Sequence, residues 1–270
     1  MHDLGSIRVN ESEPVIVDTE GSVGRIRLNR PEVLNVLNAA TARAFAEAAA
    51  SLTSDPNIRA IRIEGEGRAF MAGGDVAALS AGSETPADAA NAIITPFHQG
   101  LLSLRQGPPV IAVLHGAVAG AGMSLAMACD LAVAADDAQF VFAYTKLGTS
   151  PDGSASFFLP RLLGLRRAMG LALLGETLTA ERAEALGLVN RVVPRPDLDT
   201  AAGAMAEQVA AGPTRAYIHV RELFERSFGA SLPDQLEAER TAFMESARRA
   251  DFQEGCAAFK ERREARFVGE

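Results

Sequence analysis

VIAVLHGAVAGAGMSLAMACDLAVA, residues 110–134, carries two unbroken apolar runs on either side of a stretch rich in Gly, Ala and Ser. Neither Val110-Ile-Ala-Val-Leu114 nor residues 131–134 alternates apolar with polar side chains. A strand with one wet face alternates, so both runs predict strands covered on both sides, as in a parallel sheet flanked by helices. Between them the spacing predicts a helix that starts within residues 118–122 and continues to Ala128. Its small residues permit close approach to a strand or a ligand, and its first N–H groups have no partner within the helix.

The same grammar extends in both directions. Residues 14–20 and 23–28 alternate around Glu20-Gly-Ser and predict a hairpin. Asn38 predicts the N-cap of an Ala-rich helix over 39–52 that closes near Asp55-Pro56. Residues 58–63 predict a strand, and 86–104 a helix with Ala89, Ile93, Phe97, Leu101 and Leu104 on one face. Beyond Ala155 the pattern is helical: 157–163, 165–174 and 179–186, then four more helices to Phe267. This predicts an α/β body over 1–195 and a helical region over 196–270, with the change near Pro194-Arg-Pro196.

A net charge of −8 over 270 residues argues against a broad nucleic-acid surface, which needs a concentrated basic face. Lys260-Glu-Arg-Arg263 with Arg266 remains a candidate cluster for one phosphorylated ligand. The two cysteines, Cys129 and Cys256, form neither a disulfide framework nor a metal-ligand spacing. Residues 1–14 are polar and acidic, unlike a signal peptide. The weakly polar stretch 110–129 is broken by Gly116, Gly120 and Gly122, so no membrane span is expected. A soluble, reduced, cytoplasmic protein with no metal is the expectation.

Three stretches could carry chemistry, each with a plainer reading. GRAFMAGGDV, residues 67–76, puts Gly-Gly after a strand, which is either a simple turn or a turn whose free N–H groups face a ligand oxygen. The Gly116–Asp130 stretch is either close helix packing or a second such turn. Gly120-Ala-Gly122 opens like a dinucleotide fingerprint, but Leu stands at 125 where the third Gly belongs. Gly122-Met-Ser-Leu-Ala126 resembles a nucleophile elbow, but the strand ends at Leu114, too early for Ser124. None of the four histidines, His2, His98, His115 and His219, is spaced to serve that serine. LGTSPDGSASFFLPRLLG, residues 147–164, sets Asp152 in a Pro-Asp-Gly turn, where it is either a helix cap or a lone acid beside the two turns. Paired backbone donors stabilise an oxyanion, and one acid next to them moves a proton without metal or covalent nucleophile.

From Pro14 to Gly269 the sequence resembles the crotonase, or enoyl-CoA hydratase/isomerase, superfamily. The resemblance rests on Leu28-Asn-Arg-Pro-Glu-Val-Leu-Asn-Val-Leu-Asn38, Gly67-Arg-Ala-Phe-Met-Ala-Gly-Gly-Asp75, the 116–130 stretch and Lys146-Leu-Gly-Thr-Ser-Pro-Asp152. It continues in Leu159-Pro-Arg-Leu-Leu-Gly164, Ala185-Leu-Gly-Leu-Val-Asn190 and Glu254-Gly-Cys-Ala-Ala-Phe-Lys260. It implies a right-handed spiral of ββα units with a C-terminal helical trimerisation region, assembled as a homotrimer or as a hexamer of paired trimers. It implies an acyl-CoA thioester substrate, with CoA part of that substrate and no separate cofactor. The thioester carbonyl is expected between the N–H groups of Ala72 and Ala121. The backbone at Val33, Leu34, Asn35, Arg68 and Ala69 is expected along the CoA, with Gly73, Gly74, Asp75, Val76 and Tyr144 also binding the substrate or its CoA and Lys260 reaching in from a neighbouring subunit.

Hydratases of this superfamily use two glutamates, at places held here by Ser124 and Tyr144, and neither hydroxyl is a base near neutral pH. Asp152 matches instead the single aspartate of members resembling the Δ3,Δ2-enoyl-CoA isomerases and the epoxyphenylacetyl-CoA isomerase. The expectation is an enzyme that shifts a double bond, with Asp152 as acid and base, shielded from water by Phe157 and Phe158. Hydration of a 2-enoyl-CoA and a non-catalytic acyl-CoA-binding or assembly role are the alternatives. Acyl specificity is expected to depend on residues 76–104, Phe142 and Tyr144.

Overall fold

The computed structural model describes residues 13–80 and 85–270. Residues 1–12, with His2, and residues 81–84 of the 76–104 segment lie outside the described residues. The chain opens as a hairpin of β1 (Val15–Glu20) and β2 (Val23–Leu28), paired from Val15↔Leu28 to Glu20↔Val23. Next comes α1 (Ala39–Ser54), begun by Asn38, whose Oδ1 accepts the Thr41 N–H at 2.9 Å. After β3 (Ala60–Gly65) come the short α2 (Val76–Ser80) and the long α3 (Pro86–Gln106). Phe45 of α1 meets Phe97 of α3 with ring centroids 5.6 Å apart, locking the two helices together.

The stretch 110–134 then folds as β4 (Val110–Leu114), β5 (Ala117–Ala119), α4 (Ala121–Ala128) and the start of β6 (Leu131–Ala135). Every residue of β4 is buried, as its unbroken apolar run predicts. One prediction changes: residues 118 and 119 do not begin the helix. They pair as strand with β7 (Gln139–Val141), and α4 starts only after Gly120. All residues of α4 are buried, consistent with a helix that is apolar on every side.

Downstream lie α5 (Ala155–Leu163), α6 (Leu165–Leu174), β8 (Thr177–Thr179), α7 (Ala180–Ala185) and β9 (Arg191–Val193). The large sheet has the order β1-β2-β3-β4-β6-β9 and is parallel from β2 onward; a small sheet, β5-β7-β8, stands beside it. A bridge from Met71 to Val118 extends the small sheet toward the loop after β3. Each passage of chain therefore adds one strand to the large sheet, a short strand or bridge to the small one, and a helix. β7, β8 and β9 span three residues each, too short to register as alternation in the sequence.

Four helices end the chain: α8 (Leu198–Ala210), α9 (Thr214–Ser227), α10 (Leu232–Ser246) and α11 (Ala250–Glu261). Of these, α8 packs on the large sheet. Leu198 and Ala202 pack on Val113, Val133 and Ala135, and Ala206 and Ala210 on Val23, Ala60 and Ile111. Beyond α8, the helices expose Phe224, Phe243 and Phe259. No helix of the described residues is long and apolar enough to cross a membrane.

Candidate functional site

Two strand-to-helix turns meet at the ends of β3 and of the β4–β5 segment. Gly73 (φ +107°) and Gly120 (φ +49°) abut so closely that a Cβ on Gly120 would lie 3.5 Å from the Gly73 Cα. Leu37 forms a parallel bridge to Gly74: its N–H donates to the Gly73 carbonyl at 2.8 Å, and its carbonyl accepts the Asp75 N–H at 2.9 Å. In such a bridge the opposed residue turns its own N–H to the other side, so the Gly74 N–H points away from Leu37. Ala121 opens α4 ahead of its first bond, Ser124 N–H to Gly120 carbonyl at 3.0 Å, and so has no acceptor within the helix.

This corrects one expected donor. The Ala72 N–H donates to the Leu34 carbonyl at 3.0 Å and is committed to the protein. The amides of Gly74 and Ala121, one on each side of the Gly73–Gly120 contact, have no acceptor of their own among the described residues and can receive an oxygen. The two are alike in sequence, each following a glycine held at positive φ, and that shared pattern is the signal that separates Gly74 from Ala72.

The second half of the site is the loop from Tyr144 to Ser154. Ala143 (φ +57°) and Ser154 (φ +78°) bracket it, both non-glycine residues in a left-handed conformation that surrounding contacts must enforce. The turn at Ala143 folds Tyr144 inward, edge-on to Phe142 at 5.3 Å. Tyr144 is buried, and its hydroxyl lies 2.7 Å from the wholly buried Ser124 Oγ. Both hydroxyls reach the Asp152 carbonyl, Ser124 at 3.0 Å and Tyr144 at 3.3 Å. Burial, and next the negative charge of Asp152, push the Tyr144 phenol well above its ordinary range.

Asp152 is therefore not a side-chain helix cap. Ser154 holds the N-cap position of α5 without a side-chain bond, and only the Asp152 main-chain carbonyl meets the helix, accepting the Ala155 N–H at 3.2 Å. The shielding expected of two phenylalanines is also corrected. Phe157 lies under the Arg161 guanidinium, 3.6 Å from its ring centroid, and Phe158 lines a groove with Arg105, Leu162 and Phe224. The rings that pack around the loop are Tyr144, Phe142 and Phe97. Ser124 bonds to Gly120, Tyr144 and Asp152 with no histidine among its partners, which removes the nucleophile reading.

Other expected contacts divide into rim and scaffold. Val33, Arg68, Gly74 and Val76 are exposed around the turns. Asn35 is a buried staple instead of a ligand contact: it accepts the Arg30 N–H at 2.8 Å and donates to the Glu66 and Ala69 carbonyls at 2.9 and 2.8 Å. Ala69 is buried in the same staple. Asp75 accepts the Ala78 N–H at 3.1 Å, capping α2, and lies 3.5 Å from Arg30. Lys260 is exposed on α11, whereas Arg263 of the same basic cluster pairs with Glu254 and Glu261, each at 2.6 Å. His98, which the sequence offers no reason to choose, accepts the Gly153 N–H at Nε2, 3.0 Å away.

The Enoyl-CoA hydratase/isomerase family model matches residues 18–270. A protein of Rhodobacter capsulatus named "Probable enoyl-CoA hydratase" is 38% identical over 245 residues, 90% of this chain and 93% of that one. The 1,2-epoxyphenylacetyl-CoA isomerase of Escherichia coli K12 is 36% identical over 259 residues, 95% of this chain and 99% of its own. The crystal structure of an enoyl-CoA hydratase from Polaromonas sp. JS666 superposes with a TM-score of 0.88 at 37% identity, covering 93% of this chain and 98% of that chain. By sequence and by fold, the chain belongs to the enoyl-CoA hydratase/isomerase family and has the crotonase-type ββα spiral.

Proposed function

We propose that the protein shifts the double bond of an acyl-CoA thioester from C3–C4 to C2–C3. The thioester oxygen sits between the N–H groups of Gly74 and Ala121. The Asp152 carboxylate removes a proton from C2; its negative charge passes through the dienolate to the thioester oxygen. The same carboxyl then returns the proton at C4, leaving the 2-enoyl product and an ionised Asp152. Total charge never changes, so the two amides act only by favouring its position on the oxygen, where each such donor is typically worth about 2.7–4 kcal/mol.

One observation carries this reading. The places of the two hydratase glutamates hold Ser124 and Tyr144, and both hydroxyls are bound to the Asp152 main chain, leaving a single carboxylate in the loop. The CoA portion would follow the exposed rim of Val33, Arg68 and Val76. Lys260 would come from a second copy, and the exposed apolar residues of α9–α11 support assembly as a homotrimer or hexamer, measurable by light scattering. The unpaired Cys129 and Cys256 fit a reduced, cytoplasmic setting.

The test is turnover of straight-chain and aromatic 3-enoyl- and 2-enoyl-CoAs in heavy-oxygen water. Isomerisation of a 3-enoyl-CoA without label uptake, falling roughly 10²–10⁴-fold in Asp152→Asn, is expected. Label entering the product from a 2-enoyl-CoA would establish hydration, the activity in the Rhodobacter relative's name. Tight thioester binding with no turnover would leave a binding protein.

A further inference from the structure

We infer that His98, together with Ser124 and Tyr144, is a positioning residue that clamps one peptide group, Asp152–Gly153, and thereby aims the Asp152 carboxylate. The inference rests on the reading of Asp152 as the acid and base. The carbonyl of this peptide is the Asp152 oxygen, which accepts from Ser124 Oγ at 3.0 Å and from Tyr144 OH at 3.3 Å. Its N–H is that of Gly153, which donates to His98 Nε2 at 3.0 Å. Both ends of a single planar unit are thus held by side chains from separate elements: α3, α4 and the turn after β7.

The clamp answers a specific weakness. Gly153 stands at φ +58°, and an aspartate–glycine peptide in a turn can rotate between two turn types at little steric cost. Rotation would exchange the directions of carbonyl and N–H and release the loop at Asp152 from the three side chains that seat it. In the observed orientation the hydroxyls of Ser124 and Tyr144 donate to the carbonyl and His98 Nε2 accepts the N–H. A rotated peptide would break all three bonds, and re-forming them would require the hydroxyls to turn and the imidazole to change tautomer, so the trio favours one orientation. The same bond fixes the imidazole proton on Nδ1. Phe97, the neighbour of His98, anchors this part of α3 against Phe45, so the acceptor does not drift.

The test compares His98→Leu, which removes the acceptor, with His98→Gln, whose Oε1 reaches the Nε2 position. For 3-enoyl-CoA isomerisation, His98→Leu is expected to lower kcat about tenfold with KM within about twofold, and His98→Gln to restore most of kcat. The second readout is hydrogen exchange of the Gly153 amide, expected to quicken in His98→Leu and to stay protected in His98→Gln. Equal kcat and equal exchange in the two variants, whether both high or both low, would overturn the clamp. The exchange readout does not involve substrate. If Asp152→Asn turned over at the wild-type rate, the acid–base reading would fail while the clamp would still be judged by exchange.

Discussion

The paired turns and the Tyr144–Ser154 loop solve the same problem, holding polar groups ready beside an apolar interior, with opposite materials. The turns offer main-chain amides, placed by glycine contacts and a parallel bridge, and no side chain takes part. The loop offers one carboxylate, and its backbone is held by the side chains of His98, Ser124 and Tyr144. An amide donor survives almost any substitution, since nineteen residue types carry it. A side-chain clamp is lost with one atom. The turns are therefore the conservative half of the site and the loop the adjustable half.

The largest effect that bears on this contrast is the Asp152→Asn loss already described. Next is Ala121→Pro, the one substitution that deletes an amide donor at the start of a helix, where proline is otherwise well accommodated. With far-ultraviolet circular dichroism unchanged, kcat should fall roughly 10²–10³-fold; a smaller loss would mean that the turn is not the oxygen's receptor. Gly153→Ala tests the loop's packing: the new Cβ would lie 2.6 Å from Phe97 Cε1 and 3.1 Å from Ser124 Cβ at a φ of +58°. Urea denaturation should show about 2–3 kcal/mol of destabilisation.

The segment between β4 and β5 carries a response to acid. His115, buried beneath Gly67, is held neutral with its pKa pushed down to about 4, first by burial and then by the Arg195 charge. The unfolded chain takes up its proton near pH 6.5, so between about 6.5 and 4 it binds more protons than the folded one. Stability contributed by this ring is complete above that window and falls as pH drops through it. Between pH 7 and pH 5 the wild type should lose about 2 kcal/mol more than His115→Asn in urea denaturation, and equal losses would remove the ring from the account. The smallest effect belongs to Ala121→Gly, which keeps the amide and removes a methyl; kcat should stay within about threefold, whereas a large change would give the methyl a share in acyl fit.

The long elements were legible because their patterns are long: the five apolar residues of β4 and the Asn38 cap of α1 stand in the structure as read. β7, β8 and β9 were not, since three residues show no period. Asp152 was legible as a lone acid near two glycine turns. Choosing Ala72 over Gly74 as donor failed because the sequence says where a turn is but not which amide the Leu34 carbonyl will claim. His98 was invisible: its partner is a main-chain N–H fifty-five residues away, and no spacing encodes such a bond.

The contact between Gly73 and Gly120 has a thermodynamic corollary. Because glycine touching glycine fixes the gap between the neighbouring amides, a receptor of the proposed kind would be complete before anything binds, with little of the protein to be ordered on arrival. An enolate-mimicking thioester should accordingly associate without a large unfavourable conformational entropy. Any bulk added at either glycine would behave as a wedge, opening the receptor in the empty protein as much as in the loaded one.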